Sequence, residues 1–277
     1  MPELPEVEHV RRLLEPALVG ARFTRVRLNR ADLRRPFPRQ FARRLRNQSV
    51  RSLARRGKYL VATLSSGDTL VMHLGMTGWF RVEPTTRRRP TRDEALDNRH
   101  DHVVFDMSSG KTVTFTDPRR FGMMDLLSGD GADLRVGPAS LGREPLSAKF
   151  DGGELARRCA RRRVSLKAAL LDQRVVAGLG NIYASEALHL ARLSPLRQAS
   201  TIATSTGRPR PSAARLAAAI KSVLRRAIAI KESAYRRSRF RVYDREGEPC
   251  PTPGCRGTIV RITQAGRSTF HCPVCQR

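Results

Sequence analysis

The sequence predicts an α+β fold with antiparallel strands in its first half and helices in its second half. Before residue 130, pairs of short segments that alternate apolar and polar residues are joined by turns that contain glycine. After about residue 145, apolar residues recur instead at the spacing of amphipathic helices. Four cysteines then lie between residues 250 and 275. We therefore predict three domains, at 2–130, 131–235 and 240–277.

The N-terminal part begins with a predicted helix over residues 6–15. Val7, Val10 and Leu14 recur on one helical face, and Pro16 is expected to end the helix because proline cannot continue it. Residues 24–28 then alternate as in a strand, and a short surface helix is predicted near residues 41–45.

Two β-hairpins follow, each with the glycine that a tight turn favours. The predicted strand pairs are 59–64 with 69–74, and 102–107 with 112–116. The polar segment 84–98 between the hairpins is predicted to be a loop. With the N-terminal helix packed on them, these strands form the predicted β-rich domain.

The second half is predicted to be helical. The predicted helices are 154–163, 165–170 with Ser165 as its cap, 182–191, and one capped by Ser212 that buries Leu216, Ile220, Val223 and Ala227. Residues 178–181 form a predicted turn, and 200–211 a predicted loop. The arginines of the first helix form either a solvated face or a phosphate-binding face. They are Arg157, Arg158, Arg161, Arg162 and Arg163.

The charge balance indicates a polyanionic partner. Of 277 residues, 53 are Lys or Arg and 25 are Asp or Glu, which leaves a net charge of +28. Nucleic acid is the first candidate for such a partner, and a ribosomal or membrane-surface role is the alternative. No apolar run approaches the roughly 18 residues of a membrane span, and the N-terminus lacks a signal-peptide core. We therefore expect a cytoplasmic protein without a membrane partner.

The cysteine spacing predicts a metal site. Cys250-x4-Cys255-x16-Cys272-x2-Cys275 offers two close pairs of thiolates, as in a tetrahedral Zn²⁺ site. Zinc would stabilise a hairpin too small to have its own core, and four cysteine ligands make the ion structural. His271 is a weaker candidate ligand. The remaining cysteine, Cys159, is expected to be a small buried residue.

The N-terminal Pro2-Glu3 pair carries the groups for amine chemistry. Met1 precedes a small residue, so we expect its removal to leave Pro2 as a free secondary amine. An α-amino group has a pKa of about 8 and is partly neutral near pH 7. It can attack an electrophilic carbon to form a Schiff base, while Glu3 moves protons. The alternative is that Pro2 and Pro5 simply begin a helix.

Several segments in the same order resemble the formamidopyrimidine-DNA glycosylase / endonuclease VIII family. They are PELPEVE at 2–8, GKYL at 57–60, HLGMTG at 73–78, DPRRFG at 117–122, VAGLGNIYASE at 176–186 and GRSTFHCPVCQ at 266–276. The sequences of these motifs are more similar to those of the formamidopyrimidine branch than to those of the endonuclease VIII branch. The resemblance implies an N-terminal antiparallel β-sandwich with flanking helices. It also implies a C-terminal helix–two-turn–helix domain that carries a four-Cys zinc-finger β-hairpin.

The resemblance also implies an activity and roles for particular residues. A base-excision-repair DNA glycosylase with abasic-site lyase activity would remove oxidised or ring-opened bases from damaged double-stranded DNA. The Pro2 amine would attack the sugar C1′, Glu3 would protonate the sugar ring, and Lys58 would bind a phosphate beside the lesion; β,δ-elimination would cut the strand. The residues implied to contact DNA are Met76, Arg119 and Phe121, which would fill the space left by the extruded nucleotide, and Asn181 and Arg267, which would hold phosphates. A monomer near the bacterial nucleoid is expected.

Without the resemblance, Met76 and Phe121 would be interpreted as core residues, Asn181 as a helix N-cap, and Lys58 and Arg267 as surface charges. Two alternative functions are an endonuclease VIII-like glycosylase for oxidised pyrimidines and a non-catalytic protein that binds damaged DNA.

The chain departs from the family pattern at two places. The first cysteine pair has four intervening residues, at 251–254, where the family commonly has two. The connection 231–242 is short and rich in arginine where members that excise 8-oxoguanine have a longer capping loop. We therefore expect activity on ring-opened purines or oxidised pyrimidines to be retained better than activity on 8-oxoguanine.

Overall fold

The computed structural model describes residues 2–85, 98–128, 141–230 and 240–277. The chain divides into two compact units, Met1–Ala139 and Ser140–Arg277. Most of the predicted loop at 84–98 and the predicted domain boundaries near residues 130 and 235 lie outside the described residues. Among the helices of the described ranges, none has both the length and the apolar character needed to cross a bilayer.

The first unit is built from antiparallel strands with a long N-terminal helix. Its described elements are α1 (Leu4–Leu18), β1 (Phe23–Leu28), α2 (Phe41–Leu45), β2 (Val50–Arg56), β3 (Tyr59–Leu64), β4 (Thr69–His73), β5 (Trp79–Pro84), β6 (Asp101–Met107), β7 (Lys111–Thr116) and β8 (Met123–Leu127). The strands form two four-stranded sheets, in the orders β1-β6-β7-β5 and β2-β3-β4-β8. Every neighbouring pair in both sheets is antiparallel.

One apolar core lies between these sheets. Phe105 and Phe115 of the first sheet belong to the same buried cluster as Leu60 and Met72 of the second sheet, and Leu14 of α1 joins them. Because both sheets contribute inward-facing side chains to one core, the unit is the predicted β-sandwich. Both predicted hairpins are present, with Tyr59 opposite His73 in one and Phe105 opposite Val113 in the other.

The prediction that Pro16 ends the first helix is wrong. Helix α1 extends to Leu18, and the N–H of Val19 donates to the carbonyl of Glu15 over 3.0 Å. Pro16 is exposed in the last turn, where the carbonyl that loses its N–H partner can bond to water. The prediction also missed β2, β5 and β8.

The second unit is helical and carries a small hairpin. Its described elements are α3 (Gly152–Cys159), α4 (Leu166–Leu171), α5 (Asn181–Leu190), a 3₁₀ turn (Ala199–Ile202), α6 (Pro211–Ala229), β9 (Val260–Gln264) and β10 (Arg267–His271). Helix α6 packs against α3 and α5. A Cβ at Gly152 would lie 2.8 Å from Ala214 Cα, so glycine permits the close approach of α3 to α6. Burial raises the pKa of the Cys159 thiol to about 11, as expected of a buried residue.

Two predicted helix ends in this unit are corrected. Helix α3 is capped by Asp151 and ends at Cys159, so Arg161 lies beyond it. Helix α6 begins with Pro211 and its cap is Arg210 rather than Ser212, because proline is favoured at the first helical position. The Ser165 cap is confirmed, since its side chain accepts from the Ala168 N–H.

Candidate functional site

The chemistry predicted at the N-terminus is placed at the start of α1. Pro2 and Glu3 directly precede this helix, and Glu3 is its N-cap. The backbone N–H of Glu3 donates to the carboxylate of Glu6 over 2.7 Å, an interaction typical of a helix N-terminus. Glu3 is only 2% exposed, whereas Pro2 is half-buried. The backbone that carries the predicted nucleophile and proton donor is therefore ordered by the helix itself.

Lys58, in the turn just before β3, lies near His73 of the neighbouring strand β4. Lys58 precedes β3, is 9% exposed, and is adjacent to Tyr59, which pairs with His73. Burial, followed by the charges of Lys58 and Arg34, lowers the pKa of His73 to about 4. The imidazole is therefore neutral near pH 7, and its Nδ1 accepts a hydrogen bond of 2.9 Å from the Gly75 N–H.

The structure brings together three residues predicted to contact DNA. A Cβ at Gly75 would lie 2.3 Å from the carbonyl carbon of Phe121, so the loops that carry Met76 and Phe121 are in backbone contact. The Arg119 guanidinium carbon lies 4.7 Å from the centroid of the Phe121 ring. Met76 is 39% exposed and Phe121 41% exposed. Their interpretation as core residues is therefore excluded.

Sequence reasoning missed Asp117, which joins these two loops. The Asp117 side chain is fully buried. Its Oδ1 accepts from the Thr77 hydroxyl over 2.6 Å, and its Oδ2 accepts from the Gly122 N–H over 2.7 Å. The only available signal was that Asp117 begins the DPRRFG segment. The buried carboxylate fixes the exposed Met76 and Phe121 side chains relative to each other.

In the second unit, Asn181 and the hairpin that carries Arg267 are linked. Asn181 is the first residue of α5 and Gly180 is the cap, so the alternative of an Asn181 N-cap is wrong. Asn181 Nδ2 donates to the Ser268 carbonyl over 3.0 Å. Nζ of the buried Lys167 donates to the same carbonyl, also over 3.0 Å. Arg267, immediately before Ser268, is exposed at the start of β10.

The four predicted cysteine ligands form one cluster, and their Sγ atoms all lie within 4.8 Å of one another. The sulfurs of Cys250 and Cys275 are 3.7 Å apart, and those of Cys255 and Cys272 are 3.6 Å apart. Tetrahedral ligands at about 2.3 Å from a metal would be separated by about 3.8 Å. The donor set therefore fits a structural metal ion, and the wider 251–254 loop does not prevent it.

Residues that the cysteine motif did not reveal support this metal site. His189 Nε2 lies 3.4 Å from Cys250 Sγ, and the Gly257 N–H donates to Cys255 Sγ over 3.4 Å. A Cβ at Gly257 would lie 2.6 Å from Cys272 Sγ, so only glycine fits beside the cluster. His271 is outside the cluster of ligand atoms in the described residues.

Glu186 is a second residue that sequence reasoning did not assign. It is 1% exposed on α5, and its carboxylate accepts backbone N–H groups from Arg241, Val242 and Tyr243 over 2.8–3.0 Å. It therefore anchors the backbone of residues 241–243, which precede the metal site in the chain. The preceding part of the short 231–242 connection, residues 231–239, lies outside the described residues.

Three family models match the chain in order. They are described as formamidopyrimidine-DNA glycosylase N-terminal domain, over residues 1–124, formamidopyrimidine-DNA glycosylase H2TH domain, over 141–238, and zinc finger found in FPG and IleRS, over 247–277. Together they span most of both units. The order of the three matches agrees with the order of the motifs.

Individual relatives give the same result. The formamidopyrimidine-DNA glycosylase of Rhodopseudomonas palustris (strain BisA53) is 54% identical over 293 aligned positions that cover all of both chains. A structure of the Lactococcus lactis enzyme, non-covalently bound to DNA with an AP site, has a TM-score of 0.82 at 30% identity and covers 99% of each chain. A structure of MutM with DNA that contains carbocyclic 8-oxo-G has a TM-score of 0.83 at 31% identity over both full chains.

The fold, the collinear motifs and the full-length relatives lead to one assignment. Members of this family are bifunctional enzymes that remove damaged bases and cleave abasic sites. The chain belongs to the formamidopyrimidine-DNA glycosylase family and is a base-excision-repair DNA glycosylase.

Proposed function

We propose that this glycosylase uses the Pro2 amine to remove oxidised or ring-opened bases from damaged double-stranded DNA and then cleaves the strand. The observation that carries this proposal is the position of Pro2 and Glu3 at the start of α1, where Glu3 is 2% exposed. Removal of Met1 frees a secondary amine next to the carboxyl group of Glu3. The backbone N–H of Glu3 is held by the Glu6 carboxylate. A protein that only bound DNA would not need this pair.

The proposed reaction begins with attack of the Pro2 nitrogen on C1′ of the damaged nucleotide. The bond from C1′ to the base breaks, and the base leaves with the bonding electrons and takes up a proton. The attached amine loses its N–H proton, Glu3 protonates the ring oxygen, the C1′–O4′ bond opens, and the nitrogen lone pair forms an iminium-type Schiff base with C1′. Loss of a C2′ proton expels the 3′ phosphate, and a second elimination expels the 5′ phosphate.

The other proposed site residues bind and shape the DNA. Lys58 would hold a phosphate beside the lesion, and Asn181 and Arg267 would hold backbone phosphates. Met76, Arg119 and Phe121 would fill the space left by the extruded nucleotide, as apolar side chains do in proteins that bend DNA. Their exposure and their shared position on the first unit support this role.

We further propose that Zn²⁺ is the metal held by the four cysteines. Four thiolates in a tetrahedral arrangement favour zinc, and they leave no open position for substrate. Bound zinc would supply structural stability to the hairpin that presents Arg267. The chain's own residues, His189 and Gly257, support this site through contacts with Cys250 and Cys255.

Lesion preference is proposed from the short connection before the hairpin. The connection 231–242 is short and rich in arginine, whereas family members that excise 8-oxoguanine are expected to have a longer capping loop there. We therefore expect ring-opened purines or oxidised pyrimidines to be processed better than 8-oxoguanine.

Borohydride trapping tests this proposal. The mature protein would be incubated with duplexes that carry an abasic site, a ring-opened guanine, an oxidised pyrimidine or 8-oxoguanine. We expect a covalent adduct that peptide mapping places on Pro2, with the weakest adduct on 8-oxoguanine. A protein extended by extra residues before Pro2 should bind these duplexes but form no adduct. Lack of an adduct on every duplex, including the abasic one, would favour the non-catalytic alternative.

A Glu3→Gln variant separates the two steps of the reaction. Glutamine retains the shape of Glu3 but cannot donate a proton to the sugar ring. Base removal should therefore fall by about 10²–10⁴-fold, whereas cleavage of a preformed abasic site should fall much less because that sugar already opens spontaneously.

The trapping experiment also separates the two glycosylase alternatives. A preference of the wild-type protein for oxidised pyrimidines over ring-opened purines would favour the endonuclease VIII-like alternative.

A further inference from the structure

A basic pocket in the second unit lies outside the site described above. It has a volume of about 520 Å³ and lies between the end of α3 and the turn at residues 205–207. Its lining includes Arg157, Arg158, Arg161, Arg162, Ser205 and Thr206. Its lining residues include four guanidinium groups and no carboxylate.

Carboxylates outside the lining hold three of these arginines in place without neutralising the pocket. The buried Glu154 pairs with Arg157 over 2.6 Å and with Arg158 over 3.0 Å. Asp172 pairs with Arg162 over 2.8 Å. In the described part of the chain, Arg161 has no carboxylate partner. Four positive charges therefore face two negative charges.

The helix dipole does not account for this excess of positive charge. The C-terminal end of α3 carries a partial negative charge of roughly half a unit, which one cation suffices to complement.

The pocket arginines also have N–H groups available for a ligand. Arg162 donates through Nε to the Arg158 carbonyl over 2.9 Å and through Nη1 to Asp172, which engages two of its five N–H groups.

The chemistry of the lining favours phosphate. Planar guanidinium groups bind phosphate oxygens through paired N–H donors, and the Ser205 and Thr206 hydroxyls add further polar groups at the wall. The Arg157 side chain is 67% exposed, and that of Arg158 is 42% exposed. An open wall of this kind suits a phosphate chain that passes along the surface better than a small ligand that must be enclosed.

The position of the pocket relates it to the predicted DNA contacts of the same unit. Arg162 bonds to Asp172, which is the C-cap of α4. The chain then turns through residues 173–180 to Asn181, where a backbone phosphate is proposed to bind. We propose that the pocket binds DNA backbone phosphates on the duplex flank, away from the damaged nucleotide. This inference rests on DNA being the substrate, as proposed above.

The test compares two pairs of charge-removing substitutions. Arg157→Gln with Arg161→Gln removes two pocket charges, while Glu154 keeps its pair with Arg158 and Asp172 keeps its pair with Arg162. Arg225→Gln with Arg226→Gln removes two exposed charges from α6 as the matched control. Helix α6 contacts Gly152 of α3 at Ala214. Arg225 lies 11 residues beyond Ala214, about 16 Å along the helix from this contact. The probes are inorganic tripolyphosphate, by calorimetry, and short and long duplexes that contain a stable abasic analogue.

We expect the pocket variant to bind the long duplex about tenfold more weakly, to bind the short duplex normally, and to lose tripolyphosphate binding. Its salt dependence on the long duplex should become shallower by about one unit of slope for each phosphate that the variant no longer binds. The control variant should differ from wild type by less than twofold on the long duplex.

Equal behaviour of the pocket and control variants would overturn the proposal. Loss of tripolyphosphate binding with unchanged affinity for both duplexes would identify a site for free polyphosphate and overturn the DNA assignment. Failure of the proposed Pro2 reaction can be distinguished from failure of this inference. If Pro2 is not the nucleophile, borohydride trapping fails in every variant, but the pocket and control variants still differ in binding to the long duplex and to tripolyphosphate.

Discussion

The hydroxyl of Thr77 donates a hydrogen bond of 2.6 Å to the carboxylate of Asp117. The same carboxylate receives the Gly122 N–H, and the Asp117 carbonyl lies 2.8 Å from His102 Nε2. One buried residue thus connects the loop that carries Met76 to the loop that carries Phe121. The exposed side chains depend on a polar interaction beneath them.

Replacing Thr77 tests this connection. Thr77→Val removes the hydroxyl donor and leaves a buried carboxylate oxygen without it, which should cost about 1–3 kcal/mol of unfolding free energy. Excision from a lesion duplex should fall about tenfold because the two loops lose their fixed spacing. Thr77→Ser retains the hydroxyl and should behave as wild type in both urea unfolding and single-turnover excision. Equal excision by the Val and Ser variants would argue against the proposed role.

Phe121 should contribute to activity without contributing to stability. Because its ring is 41% exposed, Phe121→Ala should change the free energy of unfolding by only about 0.5 kcal/mol or less, while excision falls. Phe115→Ala is the contrast, since that ring is buried and its loss should cost about 3–5 kcal/mol. Chemical denaturation and excision assays on both variants measure this separation. A large loss of stability in Phe121→Ala would restore the core interpretation.

His73 should make stability depend on pH. Its pKa is about 4 in the folded chain and about 6.5 when unfolded. The unfolded state therefore binds the proton first, so stability from the neutral ring is complete above about pH 6.5 and is lost as the pH falls toward 4. The largest slope is about 1.4 kcal/mol per pH unit.

The control for this prediction is His73→Asn, which can still accept from the Gly75 N–H but does not titrate. Urea unfolding between pH 5 and pH 8 should give a shallower loss of stability on the acidic side for this variant. Parallel curves for the variant and wild type would show that His73 is not the responsible group.

Gly257 should be required for metal retention. Gly257→Ala would place a Cβ 2.6 Å from Cys272 Sγ, so the variant should contain less bound metal and release it faster to a chelator. Gly266→Ala is a matched control, because its Cβ would meet no atom within 4 Å although its φ is +71°. Elemental analysis and chelator-release kinetics distinguish steric hindrance at the metal from backbone strain in the turn. Full metal content in Gly257→Ala would contradict the prediction.

Local patterns in the sequence predicted the elements that local interactions determine. The hairpin turns contain Gly67 and Gly110, and both glycines have positive φ, so turn chemistry identified the flanking strands. Strand β2 (VRSLARR) was missed because its arginines obscure the alternation, and its identity as a strand comes from pairing with β3.

The residues of the candidate site also divide into those predicted from local sequence patterns and those that depend on long-range contacts. The cysteine spacing was sufficient to predict the metal cluster. Asp117 and Glu186 were not assigned because their partners lie far away in sequence: Thr77 is 40 residues from Asp117, and Arg241 is 55 residues from Glu186. A single sequence contains no signal for such pairings.

The carboxylate of Glu186 also has an evolutionary consequence. It holds backbone N–H groups of Arg241, Val242 and Tyr243 rather than their side chains, so many different sequences can satisfy it. The residues that precede this anchor can change in length and composition while the chain still enters the metal-bearing hairpin at the same point. A change of length in the connection therefore needs no compensating change in the hairpin.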